Sequence, residues 1–205
     1  MKKLIKGTAV LGAIALGAVS TVLTVAADTT TSPETSPAPQ TSASDATILQ
    51  TGSLALDKVP TISFGSQNYS VGKTTYASTA ISALHVTNPG FASGWNVTVA
   101  QTTPFKDTAS GSALTLKGAT LSLDSTTTDP ITADDSTNVS AAPSYITPLT
   151  LSSTAVQVES AAAGAGVGAY TTQYANNEAS LYVPAGNLPA AYESTLTWTL
   201  SDAPS

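Results

Sequence analysis

The sequence predicts an all-β protein: an antiparallel β-sandwich of about nine or ten short strands joined by long polar loops. Three observations lead there. Ser and Thr fill roughly 60 of the 205 positions and arginine is absent, a composition rich in β-tolerant residues and poor in helix formers. Apolar residues alternate with polar ones in short runs rather than recurring at helical spacing. Turn formers such as Val59-Pro60, Gly65 and Asn88-Pro89-Gly90 interrupt those runs at regular intervals.

The chain opens with Lys2, Lys3 and Lys6, followed by an uncharged apolar stretch from Gly7 to Val25 and the small residues Ala26 and Ala27. This is the pattern of a secretory signal peptide over residues 1–27, with Asp28 as the mature N-terminus and no membrane span left afterwards. Residues 28–46 set Pro33, Pro37 and Pro39 in a Ser/Thr/Ala matrix with almost nothing apolar to bury. Such a segment cannot offset its ordering entropy and reads as a disordered tail.

From Thr47 to the C-terminus a single domain is expected. Its runs are Leu54 with Leu56, Ile62 with Phe64, Ala83 to Val86, and Trp95 with Val97 and Val99. They continue with Leu114 and Leu116, Leu121 and Leu123, Leu149 and Leu151, Val156 and Val158, Leu181 to Val183, and Leu196, Trp198 and Leu200. Two stretches break the rhythm. Residues 124–144 read as one long surface loop, and Ala161 to Ala169 (AAAGAGVGA) as a flexible glycine loop.

Composition excludes much chemistry. Without cysteine there are no disulfides, thiolate metal sites or cysteine nucleophiles. The formal charge is −6, and loss of the three leader lysines makes it −9, so neither nucleic acid nor anionic lipid is an expected partner. His85 is the single histidine; it falls on the polar side of its strand and reads as a structural surface residue. Gly164-x-Gly166-x-x-Ala169 matches a dinucleotide fingerprint in letters, but no helix pattern follows to receive a pyrophosphate. Asp124, Asp129, Asp134 and Asp135 could offer oxygen ligands to Ca²⁺, yet their spacing matches no defined calcium loop. A solvated acidic loop is expected there, with no cofactor and no catalytic site; the chain does not read as an enzyme.

The two tryptophans each begin an alternating triplet. Trp95 shares a face with Val97 and Val99, and Trp198 with Leu196 and Leu200. Pleating therefore points both indoles toward the core, where each contributes about 4–6 kcal/mol by area removed from water. Asn96, Thr98, Thr197 and Thr199 take the opposite face and are the binding candidates.

The segments GWNVTVAQTTPF at 94–105 and TLTWTLSDAP at 195–204, with GSLALDKVPTISFG at 52–65 and LHVTNPGF at 84–91, resemble the WxL domain of Gram-positive surface proteins. Val97 stands where that family usually has leucine, and Asn88 where an acidic residue is usual. The resemblance implies Trp95, Val97, Trp198 and Leu200 as signature residues and a secreted module held non-covalently on the cell wall. It further implies peptidoglycan as the ligand, with WxL-interacting surface proteins as companions. The absence of a Leu-Pro-x-Thr-Gly sorting motif from the sequence agrees with attachment by contacts, and a protein–protein docking module is the alternative expectation. An acidic module should also cling better to a phosphate-rich wall as its carboxylates protonate toward pH 4–5.

Overall fold

The computed structural model describes residues 39–124 and 130–202. The expected leader and most of the expected tail lie outside them; residues 39–46 are exposed and carry no regular structure. A compact unit begins at Thr47.

Among the described residues every regular element is a strand, and every pairing is antiparallel. The strands are β1 (Ala55–Lys58), β2 (Ile62–Ser63), β3 (Thr74–Ala77), β4 (Ala80–Ile81), β5 (Leu84–Asn88), β6 (Trp95–Asp107) and β7 (Thr120–Leu123). They continue as β8 (Ile131–Ala133), β9 (Ser144–Tyr145), β10 (Leu149–Leu151), β11 (Val156–Ala161), β12 (Gly168–Thr172), β13 (Ala179–Val183) and β14 (Tyr192–Ser201). Three four-stranded sheets result, ordered β1-β5-β12-β8, β10-β7-β13-β3 and β14-β6-β11-β9, with a small β2-β4 pair. The arrangement is sandwich-like, as the alternation predicts.

One apolar cluster joins the three sheets. Leu84 and Val86 of β5, Trp95, Val97 and Val99 of β6, Leu121 and Leu123 of β7, Leu149 and Leu151 of β10, and Val158 of β11 are all buried in it. Registers Leu149 opposite Leu123, and Leu151 opposite Leu121, line apolar side chains across one face. The signature strands are neighbours: Trp198 lies opposite Val99 and Leu200 opposite Val97.

Fourteen strands exceed the nine or ten expected. The extra ones, β3, β4, β8, β9 and β12, are two to five residues long and built mostly of Thr, Ser, Ala and Gly. Their small side chains leave no apolar alternation to read, and tertiary pairing alone makes them strands. Conversely, Leu114 and Leu116 form no strand; only Thr115 bridges, to Lys106. The expected long loop at 124–144 is interrupted by β8, which pairs with β12. A register shift between Gln157 and Glu159 bulges β11, so that Val158 and Glu159 are both buried.

Candidate functional site

The two signature indoles have different surroundings. Trp95 is 0% exposed, and its Nε1 donates to the Gly166 carbonyl at 3.0 Å. The glycine run expected to be a flexible loop is the close-packed seat of this ring. Gly166 has φ +64°, and a Cβ there would fall 2.8 Å from Trp95 Nε1 and 2.5 Å from Ala161 Cβ. Gly94, at φ +78°, would place a Cβ 2.5 Å from the Ala161 carbonyl oxygen. Glycine is needed at both positions because the Trp95 ring and the Ala161 methyl at Gly166, and the 161–163 backbone at Gly94, occupy the space a side chain would take.

Trp198 is half-buried. It packs against the core cluster beside Leu196 and Leu200, and it also lines a cleft of about 940 Å³. Its Nε1 is buried without a hydrogen-bond partner. The inward pleating argument therefore describes Trp95 fully and Trp198 only in part, because β14 is an edge strand with one neighbour, β6. Among the binding candidates, Thr197 and Thr199 are exposed, with the Thr197 hydroxyl 2.9 Å from that of Thr102. Thr98 is half-buried. Asn96, paired to β11 and β14 on either side, is buried at 9% exposure.

The cleft is assembled from segments far apart in the chain. It is lined by residues 59–67 with Tyr69 and Tyr76, by residues 187–196 with Trp198, and by Leu121, Leu181 and Val183. Six of the twelve aromatic residues line it: Phe64, Tyr69, Tyr76, Phe105, Tyr192 and Trp198. Glu193 is the only charged residue of the lining. Side-chain bonds hold the walls in place. The Tyr76 hydroxyl donates to the Asn68 carbonyl at 2.9 Å, and the Tyr192 hydroxyl to the Leu188 carbonyl at 2.7 Å. Asn187 accepts from the Lys117 amide at 2.7 Å and donates to the Pro184 carbonyl at 3.0 Å. Sequence reasoning found Trp198 but not its neighbours. The available signal was the crowding of aromatics at 64–76 and near 192–198, two segments that periodicity treats separately.

The acidic residues do not act together. Asp134 accepts from Thr171 at 2.7 Å and meets His85 Nε2 at 2.9 Å, while Asp57 meets His85 Nδ1 at 2.8 Å and accepts from Thr87 at 2.7 Å. His85 thus pins β1, β5 and the segment after β8 across the outer face of one sheet. Thr171 foremost, then His85, holds the Asp134 carboxyl below its ordinary range. Asp135 accepts from the Thr137 amide and hydroxyl, each at 2.8 Å, in a local turn. Asp124 Oδ1 is buried, and Asp129 lies outside the described residues. No described group of three or more His, Asp or Glu side chains has a geometry that could hold a metal ion. No described helix is long and apolar enough to cross a membrane.

The model of one protein family, described as WxL domain surface cell wall-binding, matches residues 17–204. No curated protein and no solved structure matches the chain.

Proposed function

Because the chain belongs to the WxL family of surface cell-wall-binding domains, we propose that it attaches by binding peptidoglycan, without catalysis, and that the aromatic cleft receives the glycan. The observation that carries this reading is the concentration of half the chain's aromatic residues in one cleft with a single charge. Aromatic faces suit the apolar faces of sugar rings, and the Ser, Thr, Gln and Asn groups between them suit hydroxyl and N-acetyl groups. With Glu193 the only charged group of the lining, the cleft favours a neutral polymer over a polyphosphate. The buried, unpartnered Trp198 N–H costs about 1–3 kcal/mol in the free protein.

Export belongs to the same reading, with cleavage after Ala27 placing the module on the wall of a Gram-positive cell. Mass spectrometry of wall-extracted protein should find Asp28 at its N-terminus. The deciding experiment is sedimentation with purified, protein-free peptidoglycan. Saturable binding is expected, weakened about tenfold or more by Trp198→Ala, as for truncation of a central aromatic contact. A turbidity assay on wall fragments should show no clearing.

A second reading, docking on a companion surface protein, is favoured by one observation. β14 runs ten residues as an edge strand without a Lys or Pro to block pairing. Absent sedimentation with bare peptidoglycan, together with retention on whole walls, would select it.

A further inference from the structure

Asp124 Oδ1 and Glu159 Oε1 are buried without a hydrogen-bond partner, and the buried hydroxyls of Tyr145 and Tyr174, which interact with each other, share their neighbourhood. Backbone geometry brings them together. The β11 bulge turns Glu159 inward beside Tyr145, its cross-strand neighbour on β9. Thr172, at the end of β12, donates its hydroxyl to Glu159 Oε2 at 2.7 Å. Tyr174 follows, its ring edge-on to Tyr145 with centroids 5.9 Å apart. Glu178, just before β13, and Asp124, just after β7, are joined by a 2.7 Å backbone bond from the Asp124 amide. Glu159 is 1% exposed and Glu178 2% exposed. Glu159 and Glu178 bear on both tyrosines and Asp124 on Tyr145, with no basic group among them.

We propose that this chamber is a proton-binding switch: Glu159 carries a proton while the sheet is closed, and loss of that proton loosens the β9–β11 side. The site is separate from the cleft, and the inference stands without the peptidoglycan reading. A buried carboxylate with one oxygen unbonded and no cation beside it is costly, and the neutral acid costs much less. Burial raises the Glu159 carboxyl from 4.5 to about 7, with the Thr172 bond pulling the other way. Between those values the folded chain keeps a proton that the unfolded chain has released. Stability therefore falls as pH rises through that window and levels off above it. The consequence reaches the signature, since β11 also pairs with β6, where Ala161 lies opposite Trp95.

The test is thermal unfolding of the full chain between pH 5 and pH 8.5. The wild type should lose on the order of 10 °C in Tm across this range. Glu159→Gln, which keeps the shape and an acceptor for Thr172, should lose much less. Parallel profiles for the two proteins would overturn the proposal. Thr172→Val provides a second reading should the glutamine variant not fold: removing a bond that favours the charged form should move the midpoint to higher pH, and an unmoved midpoint counts against the switch. Added Ca²⁺ should leave Tm at pH 8.5 unchanged; a rise abolished by Glu159→Gln would mean that the chamber takes a cation instead.

Discussion

Trp95 and Trp198 occupy matching places in two similar motifs, yet their surroundings assign them different work. Trp95 is enclosed and its N–H is satisfied by Gly166. Trp95→Phe should cost about 2–4 kcal/mol through the lost volume and the orphaned carbonyl, seen as a drop in Tm with little change in wall affinity per folded molecule. Trp198→Ala should show the opposite balance, a smaller drop in Tm with a larger loss of sedimentation. Equal effects of both variants on both measurements would remove the distinction. Residue-scale pH dependence has its own sign at Asp134. Its carboxyl lies below the ordinary 3.8, so its stabilising contribution is present above that value and lost as pH falls through the lowered one. Asp134→Asn should therefore lower Tm modestly at pH 7, and the gap should close toward pH 2–3. That His85 has two carboxylate partners was not legible from the sequence. Its position beside Leu84 and Val86 indicated an outward side chain, but Asp57 and Asp134 reach it only because β1 and β12 flank β5.

At the scale of elements, alternation was legible wherever side chains were large. Strands β5, β6, β7, β10, β11, β13 and β14 follow the Leu, Val and Trp runs. The short strands of Thr, Ser and Ala escaped because a period-two pattern needs contrast between its faces. The glycine run failed for a different reason: glycine marks flexibility or close approach, and only the neighbouring strand decides which. Close approach makes a prediction. Gly166→Ala and Gly94→Ala should each cost about 2–4 kcal/mol, or roughly 4–16 °C in Tm, since both a left-handed φ and a backbone or core clash oppose the methyl group. Gly111→Ala and Gly186→Ala meet nothing within 4 Å and carry only the φ penalty, so they should cost about 1 kcal/mol. Similar losses at all four positions would show that steric seating of Trp95 is not what the glycines provide. The β11 bulge was equally hidden, since VQVESA continues an ordinary alternation past the residue at which the ladder slips.

For the whole molecule, charge and attachment must be reconciled. The chain has formal charge −6, and the proposed loss of the leader lysines would make it −9; either charge is repelled by phosphate-bearing polymers at neutral pH. Retention on intact walls at fixed ionic strength should therefore rise from pH 7 to pH 4.5, whereas retention on phosphate-free peptidoglycan should stay flat over that range. Release that grows in acid on both surfaces would mean that attachment itself is ionic. By itself, the sequence determined the fold class and the family, because both rest on local alternation, composition and contiguous motifs. Only the tertiary structure decided which tryptophan is enclosed, that Asn96 is buried, that six aromatics from segments more than a hundred residues apart line one cleft, and that Glu159 is buried with one oxygen unbonded. Those outcomes depend on strand order and on a single-residue slip in register. Both are set by which segments bury each other in the closed molecule, and no run of neighbouring residues records that choice.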